Sequence, residues 1–119
     1  MSSYEKYEKG LSGERRAEAY LCGLGMRCEA RRYRGADGEI DLVMLEGETV
    51  VFVEVKSRPG SRVGAGLTAV TPAKRRRMTH AATMFLVERG WLDRPVRFDV
   101  VEISAQGVLH VPNAFLAEE

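Results

Sequence analysis

The spacing of apolar residues switches period along the chain, and the switches outline its elements. Ala17, Tyr20, Leu21 and Leu24 recur at helical spacing, which predicts a helix over residues 13–24. Ser12 is the expected N-cap and Gly25 the stop. Residues 26–33 read as a strand carrying several arginines, and residues 34–38 as a turn. Two apolar runs, residues 39–45 and 50–56, flank Glu46-Gly47-Glu48-Thr49, whose glycine suits a tight turn, so the pair reads as a β-hairpin. Residues 57–71 hold Pro59, Gly60, Gly64 and Gly66 and form a linker. Thr71-Pro72 then supply an N-cap and a first-turn proline for a helix that reaches Arg89 and ends at Gly90, with Met78, Ala81, Ala82, Phe85 and Leu86 as its apolar stripe. Strands over residues 96–103 and 108–111 complete the chain.

The order is helix, three strands, helix, strand, with a short strand appended. Residues 50–103 form a strand–helix–strand unit, for which a parallel pair with a right-handed crossover is expected. The fold class is therefore α/β, a mixed sheet flanked by helices. A polar, flexible lead-in over residues 1–12 and a single domain over residues 13–119 are expected, and 119 residues suffice to bury a core. No apolar run approaches the roughly 18 residues of a membrane span. The N-terminus has no signal-peptide core, so a cytoplasmic location is expected. Cys22 and Cys28 make no disulfide framework and have no partners at zinc-ligand spacing.

A net charge of +1 conceals a strong asymmetry. Residues 55–87 contain no Asp or Glu but carry Lys56, Arg58, Arg62, Lys74, Arg75, Arg76 and Arg77. Arg27, Arg31, Arg32 and Arg34 form a second basic group. A one-signed field of this kind suits a polyanion, which makes nucleic acid the expected partner, through Arg58, Arg62, Arg75, Arg76 and Arg77.

Against that background a few charged residues interrupt apolar patterns. Glu54 lies inside Val50-Val51-Phe52-Val53-Glu54-Val55-Lys56, and Lys56 shares its strand face. An ionised carboxylate in an apolar layer is costly unless it is paired or binds a cation. The hairpin places Asp41 opposite the Glu54–Lys56 end. Glu14 precedes Ala17 and Leu21 on the apolar face of the first helix, and Lys74 precedes Met78 on that of the second. Glu14, Asp41, Glu54 and Lys74 are thus all expected toward the sheet. Glu39, beside the Ile40-Asp41 pair, is assigned to the opposite strand face in a structural or substrate-edge role. Asp99 reads at least as well as a hydrogen-bonded structural carboxylate as a catalytic one, and His80, His110 and Trp91 read as surface or core residues.

An Asp followed downstream by Glu-x-Lys resembles the signature of restriction-endonuclease-like nucleases. A wider set, Gly13-Glu14 with Ala17 and Leu21, Gly38-Glu39-Ile40-Asp41-Leu42, Phe52-Val53-Glu54-Val55-Lys56-Ser57-Arg58, Lys74 and Arg97-Phe98-Asp99-Val100-Val101, resembles the small bacterial YraN-like family. The likeness runs from about residue 13 to 115. Arg32 stands where that family usually has Asn. The resemblance implies a restriction-endonuclease-like core, similar to archaeal Holliday-junction resolvases, and Mg²⁺-dependent endonuclease chemistry on DNA, branched DNA included. It implies Asp41 and Glu54 as ligands of Mg²⁺, with Mn²⁺ as a substitute. Lys56 would orient water, Glu14 hold a second metal or its water, and Lys74 touch the scissile phosphate. Two other readings stay open: a nucleic-acid-binding module of nuclease fold without activity, and an accessory protein for a protein partner. A homodimer is compatible with any of them. The linker reads either as a flap that closes over substrate or as a loop packed through Val63, Leu67 and Val70.

Overall fold

The computed structural model describes residues 3–58 and 70–117, the side chains of residues 3–11 and of Arg58 excepted. The elements in order are α1 (Ser3–Gly23), β1 (Arg27–Gly35), β2 (Gly38–Glu46), β3 (Thr49–Arg58), α2 (Pro72–Arg89), β4 (Val96–Ser104) and β5 (Gly107–Phe115). One five-stranded sheet has the order β1-β2-β3-β4-β5. The β3–β4 pair joined through α2 is parallel, and the other pairs are antiparallel.

Alternation along the strands divides the core between two faces. Val43, Leu45, Val50, Phe52, Phe98 and Val100 pack with Met78, Ala81, Ala82, Phe85 and Leu86 of α2. Leu42, Met44, Val51, Val53, Val101 and Ile103 pack with Ala17 and Leu21 of α1. The two helices therefore cover opposite faces, and β3 and β4 are buried from both sides.

The second helix begins and ends where its sequence says. The Thr71 side chain accepts the Lys74 N–H, Pro72 opens the first turn, and Gly90 closes the helix with φ of 71°. The first helix differs. It starts at Ser3, so Ser12 lies inside it rather than capping it. No proline interrupts residues 3–12, so nothing in the backbone chemistry stops the helix from extending through them. The expected linker also begins later. Ser57 and Arg58 pair with Ile103 and Ser104 of β4, and Val70 is buried in the core on the α2 side. Residues 59–69, with Arg62 and the question of a closing flap, lie outside the described residues. Among the described residues, no helix is long and apolar enough to cross a membrane.

A candidate metal and phosphate site

The site forms where two strands part. The β2–β3 ladder ends at Leu42↔Val53, yet β2 stays paired with β1 to Gly38 and β3 stays paired with β4 to Arg58. Asp41 and Glu54 are the next residues on the two sides of this fork. The Val55 N–H, which has no β2 carbonyl to bond, donates instead to Asp41 Oδ2 at 2.7 Å. Gly38 brings the mouth of the fork against α2, since a Cβ there would lie 2.1 Å from the Arg77 carbonyl oxygen.

Asp41, Glu54, Lys74, Arg34, Glu39 and Arg77 line a cavity of about 450 Å³ between the fork and α2. Glu54 is 4% exposed. Its Oε1 accepts from Lys74 Nζ at 2.5 Å and lies 3.2 Å from Lys56 Nζ. A carboxylate this deep is tolerated because two amines neutralise it.

Proton affinities follow the same crowding. Burial pushes the Asp41 carboxyl up to about 8, helped by the Glu54 and Glu14 charges and opposed by the Val55 N–H and by Lys74. Burial lowers the Lys56 ammonium below its ordinary value, and its hydrogen bond with Lys74 adds to that. Burial works against the Lys74 charge too, but bonds to Glu54 and Lys56 outweigh it and hold that ammonium above its ordinary value. Lys74 is thus the standing cation of the pair, and Lys56 the amine that gives up its proton more readily.

Glu14 sits apart from the other four. It lines a second cavity, of about 310 Å³, with Glu18, Arg31, Arg32 and Leu42, and its Oε2 accepts from Arg32 Nε at 2.8 Å. Helical spacing correctly puts Glu14 on the face of α1 that meets the sheet. The helix, however, lies on the sheet face away from α2. Among the described residues, no three His, Cys, Asp or Glu side chains converge to hold a metal. The donor set at the fork is accordingly the Asp41 and Glu54 carboxylates. Hard oxygen donors of this kind fit Mg²⁺ or Mn²⁺, which take one or two carboxylates and complete their shells with water and phosphate.

The arginines expected to bind nucleic acid divide. Arg76 and Arg77 are exposed, and Arg77 lines the fork cavity. Arg75 is engaged within the fold, donating to the Val70 carbonyl at 3.1 Å and lying over the Phe115 ring.

Sequence reasoning misplaces one neighbour of the site and passes over others. Glu39 lies on the cavity side with Asp41, not on the opposite face; a separation of two residues is the signal that returns it there. Arg34 joins the same rim, 3.7 Å from Glu39. Glu102 is buried in register with Lys56, legible only once β3 and β4 are known to be parallel. Asp99 belongs to a different network on the α1 side. It is fully buried and takes hydrogen bonds from Arg97 and the Asn113 N–H, with His110 Nε2 2.7 Å from its Oδ2.

The model of the uncharacterised protein family UPF0102 matches residues 13–103. A UPF0102 protein of Pseudomonas entomophila is 46% identical over 99 residues, covering 82% of this chain and 80% of its own. One from Geobacter sulfurreducens is 42% identical over 111 residues, covering 89% and 87%. One from Symbiobacterium thermophilum is 46% identical over 95 residues, covering 80% of each.

Proposed function

The chain belongs to the uncharacterised protein family UPF0102, and we propose that it is a divalent-metal-dependent endonuclease acting on DNA, with branched DNA among its substrates. The observation that carries this reading is the meeting of Asp41 and Glu54 across the fork, beside two lysines and beneath an arginine rim. A structural carboxylate needs only its partners. Here a second carboxylate is held next to the first at an electrostatic cost, which a divalent cation would relieve.

Asp41 and Glu54 hold the metal in this reading, and Mg²⁺ or Mn²⁺ bound there supplies positive charge at a phosphate oxygen and makes water more acidic. Lys56 holds the attacking water and exchanges a proton with it, a task suited to an amine whose proton is loosened by burial. Lys74, kept charged, faces the phosphate across the cavity. Arg34 and Arg77 on the rim, with exposed Arg76 alongside, fix the flanking backbone phosphates.

The test is nicking of a panel of duplex, single-stranded, flap and four-way DNAs with Mg²⁺, Mn²⁺ or chelator. Cleavage that needs metal and disappears in both Asp41→Asn and Glu54→Gln is expected. An intact panel at high enzyme concentration with either metal would overturn the reading.

A further inference from the structure

A third cavity, of about 250 Å³, opens on the α1 side of the sheet. Its walls come from Ser12, Gly13 and Arg16 of α1, Ser57 near the end of β3, and Ile103 and Ala105 at the end of β4. Ser57 and Ile103 are in register across the parallel pair, and Ile103 packs in the core against α1. Ser57 directly follows Lys56, and successive strand residues point to opposite faces, so the cavity lies behind the amine that sits 3.2 Å from Glu54. It also lies at the carboxyl ends of two parallel strands, the edge where open α/β sheets take their ligands. Gly13 shapes the wall: a Cβ there would fall 2.0 Å from Ser57 Oγ, so glycine is what lets α1 pass this close to Ser57. Ser104 Oγ donates to Gln106 Oε1 and accepts the Gln106 N–H, which fastens the turn that carries Ala105.

The lining chemistry separates this cavity from the other two. The fork presents Asp41 and Glu54, and the second cavity presents Glu14 and Glu18. Among the described residues, the third is lined by no carboxylate; it offers one guanidinium, serine hydroxyls and two apolar side chains. Such a lining does not suit a cation. It suits a flat, uncharged ring with a polar edge: apolar groups pack on the ring, hydroxyls donate to or accept from its edge, and a guanidinium plane stacks on its face.

We propose that this cavity takes one unpaired nucleobase of the DNA whose backbone lies at the fork, with Arg16 stacked on the base and Ile103 and Ala105 packed against it. The inference rests on the reading of the chain as a DNA endonuclease and names what selects its substrate. The cavity has room for one base and not for a pair. A base inside a continuous duplex must leave its stack to enter, whereas a base in a flap or single-stranded arm has already left it. The protein therefore prefers DNA with an unpaired nucleotide beside the scissile phosphate.

Binding in chelator, read by fluorescence anisotropy, tests this without cleavage. The probes are a flap DNA, the same flap with abasic sites in place of its unpaired bases, and a continuous duplex. Ala105→Phe and Ser12→Phe fill the cavity from opposite walls at exposed positions, so either can stand in if the other loses stability. The wild type should bind the flap about tenfold more tightly than the abasic flap or the duplex, and each filled variant should lose that preference. Duplex affinity should stay within about twofold in both variants. Arg16→Lys keeps the charge without the plane and should also weaken flap binding. The inference would fall if removing the bases left wild-type affinity unchanged, or if the filled variants weakened flap and duplex alike or neither. It would fall too if Arg16→Lys bound the flap like the wild type, since the arginine would then be only a phosphate contact. A wild type that bound none of the DNAs would overturn the endonuclease reading itself, whereas metal-dependent nicking by a protein indifferent to the bases would overturn this inference alone.

Discussion

The N–H of Val55 donates to the Asp41 carboxylate at 2.7 Å, across the point where β2 and β3 separate. One side chain therefore does two jobs. It replaces the carbonyl that the parting strand withdraws, and it brings a second carboxyl group, able to ionise onto a cation, beside Glu54. Substitutions separate the two. Asp41→Asn keeps an oxygen for Val55 and loses the carboxyl that could ionise onto a metal, so the fold should persist while metal-dependent cleavage is lost. Asp41→Ala also strands the Val55 N–H and should cost about 1–3 kcal/mol of stability, read by denaturant unfolding.

Stability of the metal-free protein should fall as pH rises. The Asp41 carboxyl titrates at about 8 when folded, against an ordinary value of 3.8. Between those values the folded state holds a proton that the unfolded chain has released. The stabilising contribution is complete below about pH 4 and is lost as pH climbs through 8. Thermal melts in chelator at pH 6 and pH 9 should show the decline, Asp41→Asn should flatten it, and Mn²⁺ should restore the midpoint at pH 9. A wild-type midpoint that rises over this interval would contradict the assignment.

Lys56 and Lys74 should not be equivalent. Lys56→Met removes the amine with the looser proton and should lower cleavage by about 10²–10⁴-fold while Mn²⁺ still binds. Lys74→Met removes the closer partner of Glu54 and should lower thermal stability as well as activity, because a buried carboxylate loses its strongest counter-charge. Equal stability losses in the two variants would argue against this division of labour.

Arg76 and Arg77 should carry salt-dependent DNA binding, and Arg75 should not. Each arginine–phosphate pairing removed from a complex with duplex DNA lowers the slope of log affinity against log salt by about 0.9. Arg76→Ala with Arg77→Ala should reduce that slope. Arg75→Ala should leave it unchanged and lower the melting midpoint, since its guanidinium is engaged with Val70 and Phe115. A slope that drops as much for Arg75→Ala as for the other two would return all three to one binding surface.

Much of this arrangement is legible in the sequence. Thr71-Pro72 and Gly90 bound α2, and period-two alternation sets Glu54 and Lys56 on one face with Asp41 across the hairpin. Spacing alone leaves other features out of reach. Helical periodicity places Glu14 toward the sheet but carries no information about which sheet face α1 covers. The bond from Arg32 to Glu14 escapes because a strand pattern does not reveal a single residue turned to positive φ, here 50°. Arg75 stands in a run with Arg76 and Arg77, and only the turn of the helix separates the arginine that packs from the two that face solvent. Residues 59–69 lie outside the described structure, so sequence remains the whole account of that segment.

The buried carboxylate of Asp99 gives the contrast that isolates what is special at the fork. It is as deeply buried as Glu54, but its oxygens are taken by Arg97, His110 and the Asn113 N–H, and it does not line the cavity around Asp41. Its network fastens β5 to β4 where their register shifts between Phe98 and Val100. Removing one member of such a buried pair leaves the others uncompensated, so Asp99→Ala should cost about 3–5 kcal/mol of stability. The surviving folded fraction should bind Mn²⁺ and cleave DNA like the wild type at low temperature. Glu54→Ala should show the reverse balance, with cleavage abolished at every temperature at which the variant is folded. A folded Asp99→Ala protein that had lost Mn²⁺ binding would show that the two carboxylate networks act as one.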